Sequence, residues 1–513
     1  MARNPLTNLL KGAFAELISG DPELEKSFLD WKKNRREFIK NLTMAAGSLA
    51  ILTSFRKSID TQPAVVIVGA GMAGLNAAYQ LNKLGIRSNI YEVSARSGGR
   101  MFTLRDQFGK GITTDIGGEF VDTTHTDILQ LAKEFNLSLY DLREDKLSSK
   151  TFYFEDRHMN QSDLRKAIEP YSKQLIKDFL SLPPLIDHST AESFRHFDDI
   201  SITEYLTSLG ISGWLFDFLN VVLTREYGME AKDQSAVNFL IMFVPPVDTD
   251  VDYQLFGPTH EIFKIKGGSQ HLTDSLFDSL KDQVTFNFRL TQIQQNSRGS
   301  YELLFLNNGD EKIIHAEYVL LTIPFSILRK ITINVPMPAE KRKCIEELGY
   351  GNSCKFVMGM DQKPWRLANQ QGYTFTKELF GAGWDSSQMQ SEESGSFTVF
   401  GGGEFGDYLK DSKESEISEK CVAGINAVYP GVDKAHNKKD IKFCWAAYPF
   451  TKGGYSAFKK GQWSTLSGWE GTPVGNIFFA GEHVSKEFQG YMNGAAETAR
   501  IASAMIHRKI NSN

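Results

Sequence analysis

Cysteine is scarce in this chain of 513 residues, and its four cysteines are scattered. Cys344, Cys354, Cys421 and Cys444 form no C-x-x-C pair, and no histidine lies at the spacing of a zinc ligand. A small scaffold held together by disulfides is therefore excluded, and no metal is expected. We interpret the four residues as buried thiols, but leave disulfides open in case the chain is exported into oxidising surroundings.

A surplus of positive charge is also absent. Lys and Arg number 57 against 62 Asp and Glu, which gives a formal net charge of -5 at pH 7. Proteins that bind nucleic acids need basic residues to neutralise the phosphate backbone. We therefore expect no nucleic-acid partner.

Long apolar runs are lacking as well. The best candidate, residues 42–55, is interrupted by Thr43, Ser48, Thr53 and Ser54. A helix that crosses a bilayer needs about 20 mostly apolar residues. No stable membrane span is expected.

The segment Asn34–Lys40, with the sequence NRREFIK, resembles the bacterial twin-arginine export signal. We predict that residues 1–60 form an N-terminal leader that engages the twin-arginine export machinery, which would place the protein in the periplasm. Two observations oppose this prediction: residues 1–33 are long and charged for such a signal, and no obvious A-x-A cleavage site precedes Pro63. The alternative is an amphipathic surface helix on a cytoplasmic protein.

The chain does contain enough apolar material for a large folded protein. Hydrophobic residues make up 41% of the sequence and aromatic residues 12%, which excludes a fibre or a disordered chain. At about 150 residues per domain, the length predicts two or three domains, or one domain interrupted by another. The oligomeric state is not predicted, and a homodimer is left open.

A nucleotide-binding pattern opens the folded part. Residues 64–68 (AVVIV) form a continuous apolar run, which is typical of a parallel strand buried on both faces. Gly69, Gly71 and Gly74 follow at GxGxxG spacing, and helical residues continue to Gly85. The first glycine allows a tight turn, the second lets a pyrophosphate approach the backbone, and the third lets helix and strand pack closely.

An acidic residue follows at the distance that this pattern requires. A second predicted strand, residues 88–91, leads to Glu92, about 20 residues past the glycines. A carboxylate there can accept hydrogen bonds from both hydroxyls of an adenosine ribose. The combination predicts a dinucleotide site and disfavours NADP.

Residues 92–100 (EVSARSGGR) resemble the E-A-x-x-R-x-G-G-R motif of the flavin-containing amine oxidase family, which includes monoamine oxidases and bacterial L-amino-acid oxidases. The resemblance makes FAD the expected cofactor. Gly98 and Gly99 would let the backbone approach it, and Arg100 would offer a charged fork to the diphosphate. Ser94 departs from the motif, because many members carry an arginine there.

Further segments resemble the family in the same order along the chain. Residues 115–120 (DIGGEF) match the glycine-rich segment beside the flavin, where Gly117 and Gly118 would allow a flat ring to approach. Strands expected between residues 284 and 323, with a hairpin at Asn308-Gly309, would return to the FAD domain. The backbone near Leu290 would then meet the adenine end.

Residues 475–483 (GNIFFAGEH) and 488–495 (FQGYMNGA) resemble the second FAD motif of the family. A strand there would deliver Gly481 and Glu482 to the ribityl chain. A helix beginning near Met492 would direct its positive N-terminus at the flavin, which stabilises the negative charge of the reduced form.

The resemblance implies an α/β fold in which a Rossmann-type FAD-binding domain is interleaved with a substrate-binding domain of mixed sheet and helices. The FAD-binding domain would consist of residues 61–130, 265–323 and 446–513. The substrate-binding domain would consist of residues 131–264 and 324–445, with a helical insertion in the first of these segments.

Three side chains match positions that carry the chemistry in this family. Lys355 matches the lysine that holds a water at flavin N5, with an ordinary strand lysine as the alternative. Tyr455 and Tyr491 match the two residues of the monoamine oxidase aromatic cage, which would guide and desolvate an amine nitrogen; core packing is the alternative. Gly454 stands where mammalian monoamine oxidases carry the cysteine bonded to FAD, so non-covalent binding is expected. His483 is expected to support the cofactor loop, with proton transfer as the weaker alternative.

The substrate is not set by these matches. Snake-venom and related bacterial L-amino-acid oxidases place an arginine just after the glycine pair, whereas Glu119 and Phe120 follow it here. An amino-acid substrate would need another cation, because a buried unpaired carboxylate costs several kcal/mol. Arg225 is the candidate, and a salt bridge with Glu226 or another acid is the alternative.

The predicted activity is the FAD-dependent oxidation of an L-amino acid or primary amine to an imine, which hydrolyses to a keto acid or aldehyde and ammonia. Molecular oxygen would be reduced to hydrogen peroxide. L-amino-acid oxidase is the leading interpretation, and a monoamine or polyamine oxidase is the alternative. Outside enzymology, the alternative is a flavoprotein fold reused as a scaffold or binding module.

Overall fold

The computed structural model describes residues 22–47, 64–147, 151–243, 262–390 and 393–512. Residues 1–21 and 48–60 of the predicted leader, which include residues 48–55 of the apolar stretch, lie outside these ranges. The predicted α/β class is confirmed, because a parallel sheet flanked by helices is joined to a larger mixed sheet. No helix within the described ranges is long and apolar enough to cross a membrane.

The α-helices of the described residues lie in every part of the chain. They are α1 (Pro22–Gly47), α2 (Met72–Lys83), α3 (Thr126–Glu134), α4 (Gln161–Ile168), α5 (Ser172–Leu180), α6 (Arg195–Asp198), α7 (Ile202–Ser208), α8 (Gly213–Tyr227), α9 (Ala236–Leu240), α10 (Gln270–Leu280), α11 (Phe325–Leu328), α12 (Ala339–Glu347), α13 (Pro364–Leu367), α14 (Gly403–Asp411), α15 (Glu414–Val428), α16 (Val432–Ala435) and α17 (Met492–Ser512). The helical insertion expected from the pattern of residues 162–243 corresponds to α4 through α9.

The strands form several separate sheets. They are β1 (Val65–Val68), β2 (Ser88–Tyr91), β3 (Thr103–Arg105), β4 (Thr113–Asp115), β5 (Phe120–Val121), β6 (Leu139–Asp141), β7 (Thr151–Phe154), β8 (Arg157–Met159), β9 (Phe263–Ile265), β10 (Val284–Thr285), β11 (Phe288–Gln295), β12 (Tyr301–Asn307), β13 (Asp310–Ala316), β14 (Tyr318–Leu321), β15 (Thr332–Asn334), β16 (Cys354–Met360), β17 (Thr374–Thr376), β18 (Ala382–Asp385), β19 (Gly395–Gly401), β20 (His436–Cys444) and β21 (Ile477–Phe479).

A five-stranded parallel sheet positions the first half of the site. Its strand order is β10-β2-β1-β14-β21, so it draws on three widely separated parts of the chain. All four residues of β1 are buried, as its continuous apolar sequence predicts for a central parallel strand. Because parallel strands share one direction, the loops after β1, β2, β14 and β21 gather at the same edge.

Helix α2 packs against this sheet through its small residues. A Cβ at Gly74 would overlap the carbonyl of Gly69, so only glycine allows this close approach. The helix ends at Lys83, and Gly85 follows with φ of 75°, a backbone conformation that glycine adopts readily. The predicted strand, turn and helix are confirmed.

A seven-stranded sheet positions the second half of the site. Its strand order is β20-β16-β19-β18-β17-β7-β8. Every residue of β16 is buried, since strands β20 and β19 flank it and other elements cover both faces. The predicted hairpin lies in a separate sheet, where Asn308 and Gly309 join β12 to β13 with positive φ angles of 51° and 98°, the conformation of a type I′ turn.

The interpretation of all four cysteines as thiols is wrong for two of them. Cys354 and Cys444 form a disulfide, 90 residues apart in sequence. They lie directly opposite each other on the neighbouring antiparallel strands β16 and β20, a pairing that sequence spacing alone does not reveal. Cys344 and Cys421 are free and buried, as expected.

Helix α1 packs onto the folded body. Its Phe28 and Trp31 belong to the main hydrophobic core, and the Trp31 ring lies 4.9 Å from the ring of Phe179 in α5. Arg35, the first arginine of the predicted export signal, is buried and pairs with Glu487 at 2.9 Å. The arginine pair therefore lies in a helix that contacts the rest of the protein.

Candidate active site

One large cavity opens where the parallel sheet meets the seven-stranded sheet. It encloses about 1760 Å³ including its open mouth. Most of the residues predicted for the site line it: Gly69, Gly71, Glu92, Gly98, Gly99, Arg100, Gly117, Gly118, Arg225, Lys355, Tyr455, Gly481, Glu482, Tyr491 and Met492. Segments from both ends of the chain and from its middle thus share one cavity.

Glycines form the floor of the cavity at the sheet edge. Gly69, Gly98 and Gly99 have φ angles of 106°, 95° and 55°, which side chains rarely adopt. The Gly98 amide donates to the carbonyl of Ala70, so the two glycine segments lie side by side. A Cβ at Gly99 would come within 3.1 Å of the Gly71 Cα and would narrow the space between them.

The N-terminus of α2 points to this floor. Gly71 is its N-cap and provides no side-chain cap, so the first backbone N–H groups of the helix have no side-chain acceptor. Such an end attracts anionic groups, because the free N–H donors and the helix dipole act together. A diphosphate is the anion that this geometry fits.

The side chains of Glu92 and Arg100 are both fixed by hydrogen bonds to other parts of the protein. One oxygen of Glu92 accepts from the amide of Ala70 at 2.7 Å, and the other accepts from Ser94. Arg100 donates through Nη1 to Glu482 at 2.8 Å and to the carbonyl of Gly454. Ser94 therefore fixes the carboxylate of Glu92.

Glu482 joins three segments at the wall of the cavity. Its carboxylate accepts from Arg100, from Ser456 and from the amide of Gly490. Burial raises the pKa of this carboxyl, but Arg100, His483 and Ser456 together hold it below its ordinary value. The loop after β21 is thereby tied to the segment that carries Arg100.

Two predicted cofactor residues do not line the cavity. Gly74 lies behind the floor, where it serves the packing of α2 on the sheet. Leu290 is buried within β11 and pairs with Phe305. The start of β11 does lie near Glu92, since the Phe288 amide donates to the backbone carbonyl of Glu92.

Lys355 extends from β16 into a buried polar cluster. Its Nζ donates to the carbonyls of Asp115 and Gly117 at 2.7 and 3.0 Å, and to Glu119 Oε2 at 2.8 Å. The neighbouring strand β20 leads to Trp445, whose indole donates to the carbonyl of Ile116. Cys354 immediately precedes Lys355, and Cys444 immediately precedes Trp445. The disulfide therefore links the two residues that bind the segment 115–119.

The two tyrosines predicted as an aromatic cage are both on the cavity wall. The hydroxyl of Tyr455 donates to the backbone carbonyl of Arg225 at 3.1 Å. The ring of His125 packs edge-on against Tyr491 at 4.9 Å. Each tyrosine is therefore fixed by a neighbour on its own side of the cavity.

Arg225 is buried at the end of α8 and lines the cavity. Its Nη1 donates to the carbonyl of Gly402 at 2.6 Å, and its guanidinium lies over the ring of Phe405. Its Nε has no hydrogen-bond partner in the described part of the chain. Burial lowers the pKa of this group, although a guanidinium stays charged at neutral pH.

Sequence reasoning missed much of the cavity wall. Aromatic side chains from several strands and loops complete it: Phe120, Tyr373, Phe375, Trp384, Phe400, Trp445, Tyr448 and Phe450. Trp384 stacks on Tyr373 at 5.7 Å, and its indole donates to Glu119. These residues share no local motif, so no pattern in the sequence identifies them together.

The fold and cavity define a class of protein: a nucleotide-binding parallel sheet joined to a second sheet that carries an aromatic-walled pocket. The chain belongs to the flavin containing amine oxidoreductase family, whose profile it matches over residues 72–507. The predicted family is thus confirmed.

Individual relatives are distant but extend along most of the chain. The L-amino-acid oxidase of Crotalus adamanteus is 24% identical over 477 residues, which cover 86% of this chain and 87% of that protein. Amine oxidase B of Canis lupus familiaris is 25% identical over 474 residues, with 86% of each chain covered.

Solved structures show the same fold at lower identity. Cyclohexylamine oxidase from Brevibacterium oxydans is 17% identical with a TM-score of 0.77, and 88% of this chain and all of that chain are covered. Putrescine oxidase bound to putrescine is 19% identical with a TM-score of 0.75, with 87% and 99% covered.

FAD is the cofactor of this family, and the residues of the cavity fit it. The glycine floor at residues 69–71 and 98–99 leaves space where side chains would stand. The uncapped N-terminus of α2 suits the diphosphate, and Glu92 lies within the same cavity. When bound, FAD supplies the acceptor for a hydride equivalent.

Proposed function

We propose that this protein is an oxidase that converts an L-amino acid to its imine, which hydrolyses to a keto acid and ammonia, while oxygen is reduced to hydrogen peroxide. FAD would be held without a covalent bond, since Gly454 stands at the position of the linking cysteine. The observation that carries the amino-acid assignment is the buried Arg225 on the wall of the aromatic cavity.

Arg225 is suited to receive a carboxylate. Its Nε has no hydrogen-bond partner among the described residues, and an arginine that is already desolvated pairs strongly with a carboxylate group. The alternative expectation for Arg225 is a salt bridge with Glu226 or another acid. In the described residues the guanidinium instead donates to the backbone carbonyl of Gly402 at 2.6 Å. Gly402 thus orients the guanidinium without neutralising it.

The remaining wall would handle the nitrogen and the side chain. Tyr455 and Tyr491 present aromatic rings to the cavity, and such rings favour a desolvated amine nitrogen. The rings around Trp384 offer an apolar surface for a large side chain. Lys355, which extends from β16 and lines the cavity, would act beside the flavin.

The test compares two substrates that differ only in the carboxylate, L-phenylalanine and 2-phenylethylamine. For Arg225→Met we expect kcat/KM for the amino acid to fall about 30-fold, equivalent to about 2 kcal/mol, because a buried charge pair is lost. The value for the amine should change little. Peroxide release and ammonia release are both measured.

The control is Arg329→Met, which removes the guanidinium of an exposed residue that does not line the cavity. Arg329 donates to the carbonyls of Phe325 and Leu348, so its loss should affect both substrates equally. If Arg225→Met lowers kcat/KM for both substrates to the same extent, Arg225 does not bind the carboxylate.

A second candidate function is the oxidation of amines that carry two or more nitrogens. Glu226 is buried on the wall of the cavity next to Arg225, and a carboxylate there would attract a distal ammonium group. Putrescine and spermidine should then be oxidised in preference to every amino acid in a peroxide-coupled screen, and Glu226→Gln should remove that preference.

Export by the twin-arginine route is also part of the proposal. The disulfide between Cys354 and Cys444 suits an oxidising compartment, and a route that carries folded proteins suits a chain that must first acquire FAD. A homodimer stays an open expectation, to be measured by light scattering.

A further inference from the structure

A buried cluster of charges lies at the wall of the cavity, beside the glycine segment 115–119. Glu119 is held between two lysines: Lys264 Nζ donates to Oε1 and Lys355 Nζ to Oε2, each at 2.8 Å. Glu119, Lys264 and Lys355 are 4%, 4% and 5% exposed, so water screens these contacts little. Three elements that are far apart in the chain supply the three charges.

The contacts of Lys355 use all three of its N–H donors. Two of them bind the backbone carbonyls of Asp115 and Gly117, and the third binds Glu119. An ammonium group has no further donor. Because the two carbonyls belong to the backbone, Glu119 is the only one of the three partners that a substitution can remove.

Glu119 is itself immobilised. Besides the two lysines, the indole of Trp384 donates to its Oε2 at 3.1 Å. Lys264 is tied at its other side to the carbonyl of Ser386. Burial raises the pKa of Glu119, but the two lysines outweigh it and hold the pKa below its ordinary value. Glu119 is therefore a fixed carboxylate in the wall of the cavity.

We propose that Glu119 is a positioning residue for Lys355, and that Lys264 is the second cation that keeps Glu119 ionised. This inference rests on the proposed function, in which Lys355 acts beside the flavin. Glu119 would hold the ammonium group of Lys355 against the segment 115–117 and keep it charged. The acid that stands in place of the carboxylate-binding arginine of L-amino-acid oxidases thus has a role of its own.

The first variant is Glu119→Gln, which retains the shape of the side chain but removes the carboxylate that both ammonium groups contact. The buried carboxyl of Asp115, which also interacts with both lysines, is then the remaining acid of the cluster. Loss of an opposite charge lowers the pKa of a buried lysine. The alkaline limb of the pH profile of kcat should therefore move toward acid by about one pH unit or more. If the profile overlays that of the wild-type enzyme, the proposal is overturned.

The second readout does not depend on activity. In Glu119→Gln the lowered lysine pKa means that the folded protein binds fewer protons than the unfolded chain at pH values below the ordinary lysine pKa. The stability of the variant therefore rises with pH in this range. The thermal midpoint of the FAD-loaded variant should lie below the wild-type value at pH 7, and the difference should shrink toward pH 10. A difference that stays constant with pH would contradict the proposal, whether or not a substrate has been found.

A double variant separates charge from structure. Glu119→Gln combined with Lys264→Met removes one acid and one base, which restores the net charge of the cluster. We expect its pH profile to return toward the wild-type profile, whereas a merely structural role predicts damage at least as large as in the single variant. Glu404→Gln, which breaks an exposed pair with Lys232, is the control and should change neither readout.

If Glu119→Gln fails to fold, Lys264→Gln gives the same information from the other partner. The pair of Glu119 and Lys355 remains, so the alkaline limb should stay in place. Lys264 lowers the pKa of both Glu119 and Asp115, so its removal should raise the pKa of both acids and move the acid limb toward neutral pH. An unchanged acid limb would overturn the assignment of Lys264.

Discussion

His483 illustrates how far the surroundings of one residue can depart from what its motif implies. It follows Glu482 in the second FAD motif, yet it does not line the cavity. It is 2% exposed, and neither ring nitrogen has a hydrogen-bond partner in the described ranges. Its ring packs edge-on against Phe325 at 4.5 Å. The position suits the expected role of supporting the cofactor loop.

The burial of this imidazole predicts a pH dependence of stability. Burial lowers the pKa of His483 to about 3, whereas the unfolded chain takes up the proton near pH 6.5. Stability is therefore intact above about pH 6.5 and is lost as the pH falls toward 3, by up to about 1.4 kcal/mol per pH unit. His483→Phe should flatten the fall of the thermal midpoint between pH 7 and pH 4.

The control for this prediction is the exposed His271, whose Nδ1 donates to the carbonyl of Lys266. His271→Gln should retain the wild-type slope of thermal midpoint against pH. If His483→Phe loses stability with acid as steeply as the wild-type protein, the acid sensitivity arises elsewhere.

At the residue scale, the sequence predicted those parts of the site that a short motif contains. Gly98, Gly99 and Arg100 belong to one such motif, and the structure brings them into the cavity. Lys264 and Trp384 were not predicted, because each reaches Glu119 only through the pairing of its strand in three dimensions. Glu119 itself was noticed only as the absence of an arginine.

Helix α1 is the element whose role the sequence left most open. Its pattern allowed a removable export signal or a surface helix, and the structure packs Phe28 and Trp31 into the core. The indole of Trp31 donates to the carbonyl of Leu182 at 2.9 Å, and Arg35 donates to that of Pro184. The twin-arginine signal stays a prediction, since packing in the folded chain does not exclude export.

Packing of α1 predicts a clear difference between two substitutions on the same helix. Trp31→Ala should lower the free energy of unfolding by about 3 kcal/mol, because a large buried ring is deleted. Leu29→Ala is the matched control, since Leu29 is 54% exposed and its loss should have little effect. Thermal unfolding of both variants, with the intact mass of each purified protein, provides the measurement.

Two outcomes would count against a retained helix. Trp31→Ala could unfold at the wild-type temperature, or the intact mass could show that the mature protein begins after residue 60. In the second case α1 would be part of a leader that is removed after export, and the packing of Arg35 against Glu487 would exist only before removal.

At the scale of elements, strand identity was easier to predict than strand pairing. The apolar run of β1 and the turn at Asn308-Gly309 are local, and both were found. The pairing of β16 with β20 joins residues about 90 positions apart, and it places one cysteine opposite another. Local patterns carry no information about such a register, so the disulfide was not predicted.

At the level of the whole molecule, the proposed function requires two sheets that meet at one cavity. The parallel sheet is assembled from segments near residues 65–91, 284–321 and 477–479, as the family motifs predicted. The seven-stranded sheet supplies Lys355 and Trp384. The exact division into domains stays a prediction, as do the compartment and the oligomeric state.

The order of motifs along the chain predicted the fold because each motif supplies one edge of the same cofactor site. The substrate is harder to predict, because its contacts come from elements without a shared motif. Arg225 lies on α8, and Tyr455 lies in a loop more than 200 residues later. Only the folded chain brings them into contact.

The proposed function requires that the cavity holds FAD and presents it to an amino acid. The most direct measurement is the visible absorbance of the purified protein, taken without oxygen before and after addition of L-phenylalanine. We expect a yellow protein whose flavin absorbance is bleached by the amino acid and returns when air is admitted, with release of peroxide. A protein that stays colourless in excess FAD, or whose flavin remains oxidised across all amino acids and amines, would contradict the account.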